Sequence, residues 1–169
     1  MRNFFKIGNE TVSVRKGIDL LAMGKFEEAI ESFTRALETE PKNVKAHVGK
    51  GIALAHLGEE RDALATYEHA ITLAPDSADA WYHRALLLTK LGKHEQAILC
   101  YDKTLRLERA EPYVWFHKGR SLEALERYRE AVDAYEDALK VRPVLEIKER
   151  RDEALKIVRE ITARDDGKR

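Results

Sequence analysis

The chain has 169 residues, 44% of them hydrophobic and 36% charged, and its thirty basic and thirty acidic side chains cancel. That suits one soluble domain with much exposed surface per residue, and a neutral chain without a Lys/Arg block argues against a general nucleic-acid binder, which needs a basic face. No stretch approaches the roughly 18 consecutive apolar residues of a membrane span, the opening MRNFFKIGNETVSVRKG lacks the apolar centre of a secretory signal, and the single Cys100 makes neither an internal disulfide nor, alone, a metal site, so the cytoplasm is the expected compartment.

Residues 1–9 form a lead segment, after which the chain repeats itself. The stretch GKFEEAIESFTRALETEP begins at Gly24, and related stretches begin at Gly58, Gly92 and Glu126, each 34 residues after the last. A shift of 34 aligns the small residues Gly17, Gly51, Ala85 and Gly119, then Leu20, Leu54, Leu88 and Leu122. It also aligns Ala29, Ala63, Ala97 and Ala131 with one another, the aromatics Phe33, Tyr67, Tyr101 and Tyr135, and then Ala36, Ala70, Thr104 and Ala138. Pro41, Pro75 and Pro143 close three of the four units.

Each unit (10–43, 44–77, 78–111 and 112–145) holds two runs with helical rather than strand periodicity. The first unit predicts helices over 11–23 and 27–39, the second over 44–57 and 60–73. The third predicts 78–91 and 94–107, the fourth 112–125 and 128–141. Glycine between the runs suits a helix end that needs a left-handed backbone. The small residues let two helices approach while the aromatic fills the space beside them, and proline stops the second helix. Acidic pairs such as Glu27–Glu28 and Glu59–Glu60 start second helices, where they meet the helix dipole favourably. A single hairpin cannot bury its apolar face, so the units stack. Beyond Pro143, residues 146–169 predict a capping helix with Ile147, Ala154, Leu155, Val158 and Ile161 on one stripe, followed by a polar tail.

The pattern resembles that of the tetratricopeptide repeat family, and four units in register cover residues 10–145. Trp81 and Trp115 stand at the family's early large position, where the first two units carry Ser13 and His47. Arg109 replaces the closing proline of the third unit, with Pro112 three residues on, and Glu126 replaces the turn glycine of the fourth. The resemblance implies an all-α fold: a right-handed superhelical solenoid of four helix-turn-helix repeats plus the C-terminal capping helix. It also implies that the first helix of each unit lines a concave groove. Groove positions are then Thr11, Val14, Ile18, Leu21 and Ala22 in unit one, and Lys45, Val48, Ile52, Ala55 and His56 in unit two. Unit three offers Asp79, Tyr82, Leu86, Thr89 and Lys90, and unit four Tyr113, Phe116, Arg120, Glu123 and Ala124.

The expected partner-binding row is Val14, Ile18, Val48, Ile52, Tyr82, Leu86 and Phe116, flanked by the cations Arg15, Lys45, Lys90 and Arg120. An exposed apolar row marks binding, and the cations suit an acidic or amphipathic partner such as a helix laid in the groove. The alternative is that these apolar residues pack between neighbouring first helices or under the terminal segment. Family members that bind chaperone tails hold a terminal carboxylate with a Lys–Asn–Asn–Lys–Arg clamp. The matching positions here are Val14, Ile18, Gly49, Asp79 and His83, or one unit later Val48, Ile52, His83, Tyr113 and His117, so carboxylate-clamp binding is not expected.

Chemistry leaves no local trace. His83 and His117 share a repeat position, but no supporting carboxylate or thiol and no His-Glu-x-x-His run accompanies them. His56, His69 and His94 read as surface or helix-end residues, His47 as a substitute for the usual large residue, and Cys100 as a packing spacer rather than a nucleophile. There is no phosphate-cradling glycine run and no Gly-x-Ser-x-Gly elbow. The expectation is a non-enzymatic protein–protein interaction scaffold with no cofactor or metal. It binds a peptide, an amphipathic helix or a protein surface in its groove, and neither nucleic acid nor membrane. The alternative is a self-associating module that forms a homo-oligomer through its groove or terminal helix.

Overall fold

The computed structural model describes residues 12–108 and 111–166, the last two by backbone alone. Nine helices and no strands occur among the described residues: α1 Val12–Ala22, α2 Phe26–Thr39, α3 Val44–Leu57, α4 Glu60–Leu73, α5 Ala78–Lys90, α6 His94–Leu107, α7 Pro112–Ala124, α8 Tyr128–Val141 and α9 Leu145–Asp166. The expectations placed on Thr11 and Arg109 fall outside the described residues.

Local chemistry sets the ends. The Asn43 side chain accepts from the Ala46 N–H at 2.9 Å and caps α3, and the Ser77 hydroxyl accepts from the Ala80 N–H at 3.3 Å ahead of α5. Pro112 opens α7, where its missing N–H has no helical partner to lose. Between the helices of each hairpin the backbone turns left-handed at one repeat position: Gly24, Gly58 and Gly92 have φ of 72°, 80° and 72°. Glu126 takes the same conformation in the fourth hairpin with φ 58°, which a side chain adopts only under strain.

The hairpins close by a small residue against an aromatic. A Cβ added at Gly17 would sit 2.6 Å from Phe33 Cε1, and one at Gly51 2.6 Å from Tyr67 Cε1. Gly119 meets the Tyr135 ring in the same way. These are the small and aromatic positions that recur every 34 residues, and all four rings are fully or almost fully buried. Gly49 extends the scheme between hairpins, since its Cα rests against the Phe33 ring of the hairpin before it. The position that follows at the same interval carries histidine: His83 stacks on Tyr67 with centroids 6.3 Å apart, and His117 on Tyr101 at 6.2 Å.

The chain divides into two compact units, Met1–His83 and Arg84–Arg169, with α5 running through the division. In the first, α1 packs on α2, α2 on α3 and α3 on α4. Its core gathers Val14, Leu20, Phe33 and Ala46 with the alanines at 29, 36 and 53. In the second, α6 packs on α7, α7 on α8 and α8 on α9. Ile147 and Ala154 of α9 are fully buried in a cluster with Phe116, Leu122, Val132 and Tyr135, so the terminal helix covers α8 with the stripe its sequence shows. Ile161, on the same stripe, remains 41% exposed beyond the packed part.

Candidate functional site

The first helices place the expected binding residues in three different settings. Val14, Val48 and Phe116 are interior, at 0%, 7% and 5% exposure. Val14 belongs to the core around Phe33, and Phe116 lies 6.3 Å from Tyr113 and 5.8 Å from Tyr135 between ring centroids. In these three repeats the position turns inward to build the hairpin, and the packing alternative describes it. Ile18, Ile52 and Tyr82 are half-buried; Ile18 packs against the first core, and the Tyr82 ring lies 5.4 Å from that of His83.

Arg15 is exposed but does not belong with groove positions. Its counterparts 34, 68 and 102 residues on are Gly49, His83 and His117, whose contacts with Phe33, Tyr67 and Tyr101 all lie toward the preceding hairpin. Register thus puts Arg15 on the outer end face of α1, a correction to the sequence reading. Lys45 is exposed at the start of α3.

Leu86, Lys90 and Arg120 do come together. They share a pocket of about 680 Å³ in the second unit with Thr89, Glu123 and Ala124 of the expected groove set. His94 and Tyr128 open its far side from the starts of α6 and α8, and α9 adds Arg150, Glu153 and Ile157 as a wall. Leu86, Ala124 and Ile157 make apolar ground, and Lys90, Arg120 and Arg150 outnumber Glu123 and Glu153 around it.

Hydrogen bonds and ion pairs hold this wall in place. Arg150 Nε lies 3.2 Å from Glu123 Oε2, linking α9 to α7, and Arg150 Nη1 donates to Glu153 at 2.9 Å. Thr89 donates to the Ala85 carbonyl, and its oxygen lies 3.1 Å from the Tyr101 hydroxyl and 3.2 Å from that of Ser121. Arg120 is exposed. Burial first, and the Arg120 charge second, push the His117 imidazole below its ordinary value and keep it neutral. A neutral, stacked imidazole serves as a wall of the pocket.

Sequence reasoning missed His94, Tyr128 and the α9 residues of this pocket. The first two sit at the second-helix starts, just outside the first-helix positions that define the family's groove. The last three lie on a helix that follows no repeat.

The other singled-out residues have structural duties. The Nε2–H of His47 donates to the Pro41 carbonyl at 2.9 Å, and the indole N–H of Trp81 donates to the Pro75 carbonyl at 3.0 Å. These pairs are 34 residues apart, so His47 does the work of the large aromatic it replaces. Cys100 is buried, and that burial pushes its thiol up, against the pull of Arg84, whose Nη1 lies 3.5 Å from Sγ. Among the described residues no three His, Cys, Asp or Glu side chains gather as a metal site, and no helix is long and apolar enough to cross a membrane.

Three tetratricopeptide repeat models match the chain, over residues 14–78, 78–110 and 112–143. No curated protein matches it. Among solved structures it is similar to a crystal structure of MamA protein, at 21% identity over 93% of this chain and 92% of that one, with a TM-score of 0.71. It is also similar to MamA 41-end from Desulfovibrio magneticus RS-1, at 17% identity over 93% and 97% with a TM-score of 0.73. A third, MamA MSR-1, is 25% identical over 78% and 75%, with a TM-score of 0.66. Such distant likenesses carry the fold alone. Family matches running from residue 14 to 143, over hairpins built by the repeating glycine–aromatic contact, show that this chain belongs to the tetratricopeptide repeat family, a family of protein-interaction scaffolds.

Proposed function

We propose that the chain is a non-catalytic adaptor that holds an amphipathic segment of a partner protein in the pocket between α5, α7 and α9. The observation that carries this reading is the convergence of Leu86, Ala124 and Ile157 with Lys90 and Arg120 in one cavity of the second unit. Apolar ground beside cations suits a helix or extended peptide with a few apolar side chains and an acidic one. Of the expected binding row, Leu86, Lys90 and Arg120 carry this proposal directly; Ile18, Lys45, Ile52 and Tyr82 belong to the other compact unit, where they are proposed as partner contacts in their own right. The lone, buried, unpaired Cys100 fits a cytoplasmic setting.

Leu86→Asp with Arg120→Glu tests it, because neither residue is buried and the helices should remain. Tagged wild type and variant, checked for equal helicity by circular dichroism, are used to capture proteins from native extract. Partners held by the wild type and released by the variant support the pocket; an unchanged set removes it. The second reading is self-association through the groove or terminal helix. The exposed Leu145 and Ile161 of α9 favour it, and it requires a stable dimer that the same double variant or an Ile161→Asp change dissolves.

A further inference from the structure

The repeat register exposes a second surface, at the opposite end of the chain from α9. In the later hairpins the first helix turns one face toward the preceding hairpin, as the contacts of Gly49, His83 and His117 show. On that face Ala46, Ala80 and Val114 are 0%, 0% and 2% exposed, and Ala53, Leu87 and Ser121 are also buried. The α1 counterparts are Val12, which is 86% exposed, and the exposed Asp19. Met23, just past the helix, is 70% exposed where Leu57, Leu91 and Leu125 are half-buried. Val12, Lys16, Asp19 and Met23 follow spacings of four, three and four, so they lie on one helical face. Among the described residues neither Lys16 nor Asp19 makes an ion pair.

We infer that this face of α1 pairs with the same face of a second copy, antiparallel, about a two-fold axis near residues 17 and 18. In that register Val12 meets Met23 of the other copy, and Lys16 meets its Asp19. The same shift satisfies both pairs, because 12 and 23 have the same midpoint as 16 and 19. The reverse contacts repeat them, which is the self-complementarity an isologous interface requires. The apolar ends supply burial and the crossed charges set the register. A single pair of short helices buries less than a standard interface, so the dimer is weak and strengthens as salt falls. The inference is independent of the pocket on the second unit and concerns a different surface from the groove and α9.

Charge swaps on the full chain test it. Lys16→Glu alone sets two carboxylates against each other at each crossed contact, and Asp19→Lys alone sets two ammonium groups there. Sedimentation velocity over a concentration series up to millimolar should show self-association of the wild type. Each single variant should weaken it by about tenfold or more. An equimolar mixture of the two variants should associate much better than either variant alone and close to the wild type, because the mixed dimer sets acid against base at both crossed contacts. The double variant Lys16→Glu/Asp19→Lys restores opposite signs at both contacts and should associate as the wild type does. Orientation is read separately by cysteine pairing, with Cys100 too buried to compete. Val12→Cys and Met23→Cys should form cross-linked dimers readily when mixed and poorly when alone. A wild type that stays monomeric throughout overturns the inference. So does a dimer indifferent to both charge changes, a double variant no better than the singles, or a chain that cross-links each cysteine variant best with itself.

Discussion

Glu126 stands in a left-handed turn that three glycines occupy in the other hairpins, and replacing it isolates the backbone contribution to stability. Its φ is 58°, against 72°, 80° and 72° for Gly24, Gly58 and Gly92. A non-glycine residue in this region costs about 1–2 kcal/mol. Glycine gives back about 0.4–1 kcal/mol of that through the greater freedom of the unfolded chain. Glu126→Gly should therefore stabilise the protein by about 0.5–1 kcal/mol, or raise Tm by about 1–4 °C for a chain of this size. Gly92→Glu is the mirror experiment. An added Cβ there meets nothing within 4 Å, so the backbone conformation alone opposes it. It should lose about what Glu126→Gly gains, about 0.5–1 kcal/mol. Urea unfolding followed by circular dichroism measures both, with an unchanged slope showing that the folded state is otherwise the same. A midpoint that falls or stays put in Glu126→Gly would refute the claim that strain resides in this turn.

Phe116→Ala should cost about 3 kcal/mol, because it empties a buried aromatic site beside Tyr135; a loss below about 1 kcal/mol in the same unfolding assay would return Phe116 to the surface. Stability should also fall with acid. Burial holds His47, His83 and His117 below the ordinary imidazole value, aided by Lys50 and His69 near His47, by His56 near His83 and by Arg120 near His117. Opposing contributions come from the Pro41 hydrogen bond on His47 and from Asp79 on His83. The unfolded chain binds these protons first, so their contribution is complete above about pH 6.5 and is lost as pH falls below it. His83→Phe with His117→Phe should flatten the unfolding free energy between about pH 7 and 5.5. A double variant that keeps the wild-type slope would place the responsible groups elsewhere.

The fold was legible because the same physical solution is written four times. Expected helix ends at 39, 44, 57, 60, 73, 78, 94, 107, 112, 128 and 141 coincide with those observed, those at 23, 27, 91 and 125 differ by one residue, and the expected start at 11 lies outside the described residues. Glycine at 17, 51 and 119 announces an aromatic partner sixteen residues later, and the structure supplies that contact. The binding surface was less legible. Positions 14, 48 and 116 carry apolar residues that serve a groove or a core equally well in sequence. Only packing decides, and it turns all three inward. Arg15 looks like a groove cation until its counterparts are seen against the rings of the preceding hairpin. The pocket wall from α9 has no periodic counterpart, so nothing in the repeat announces Arg150 beside Glu123.

The pocket on the second unit is the central claim, and site-specific cross-linking addresses it most directly. A photoreactive side chain at Ala124, exposed on the pocket wall, is compared with one at Leu99, exposed on α6 and absent from the pocket lining. Illuminated in native extract, the Ala124 probe should capture a discrete partner that the Leu99 probe misses, and Arg120→Glu in the same chain should abolish the product. Equal labelling of one partner from both positions, or an Ala124 product indifferent to Arg120→Glu, would contradict the account.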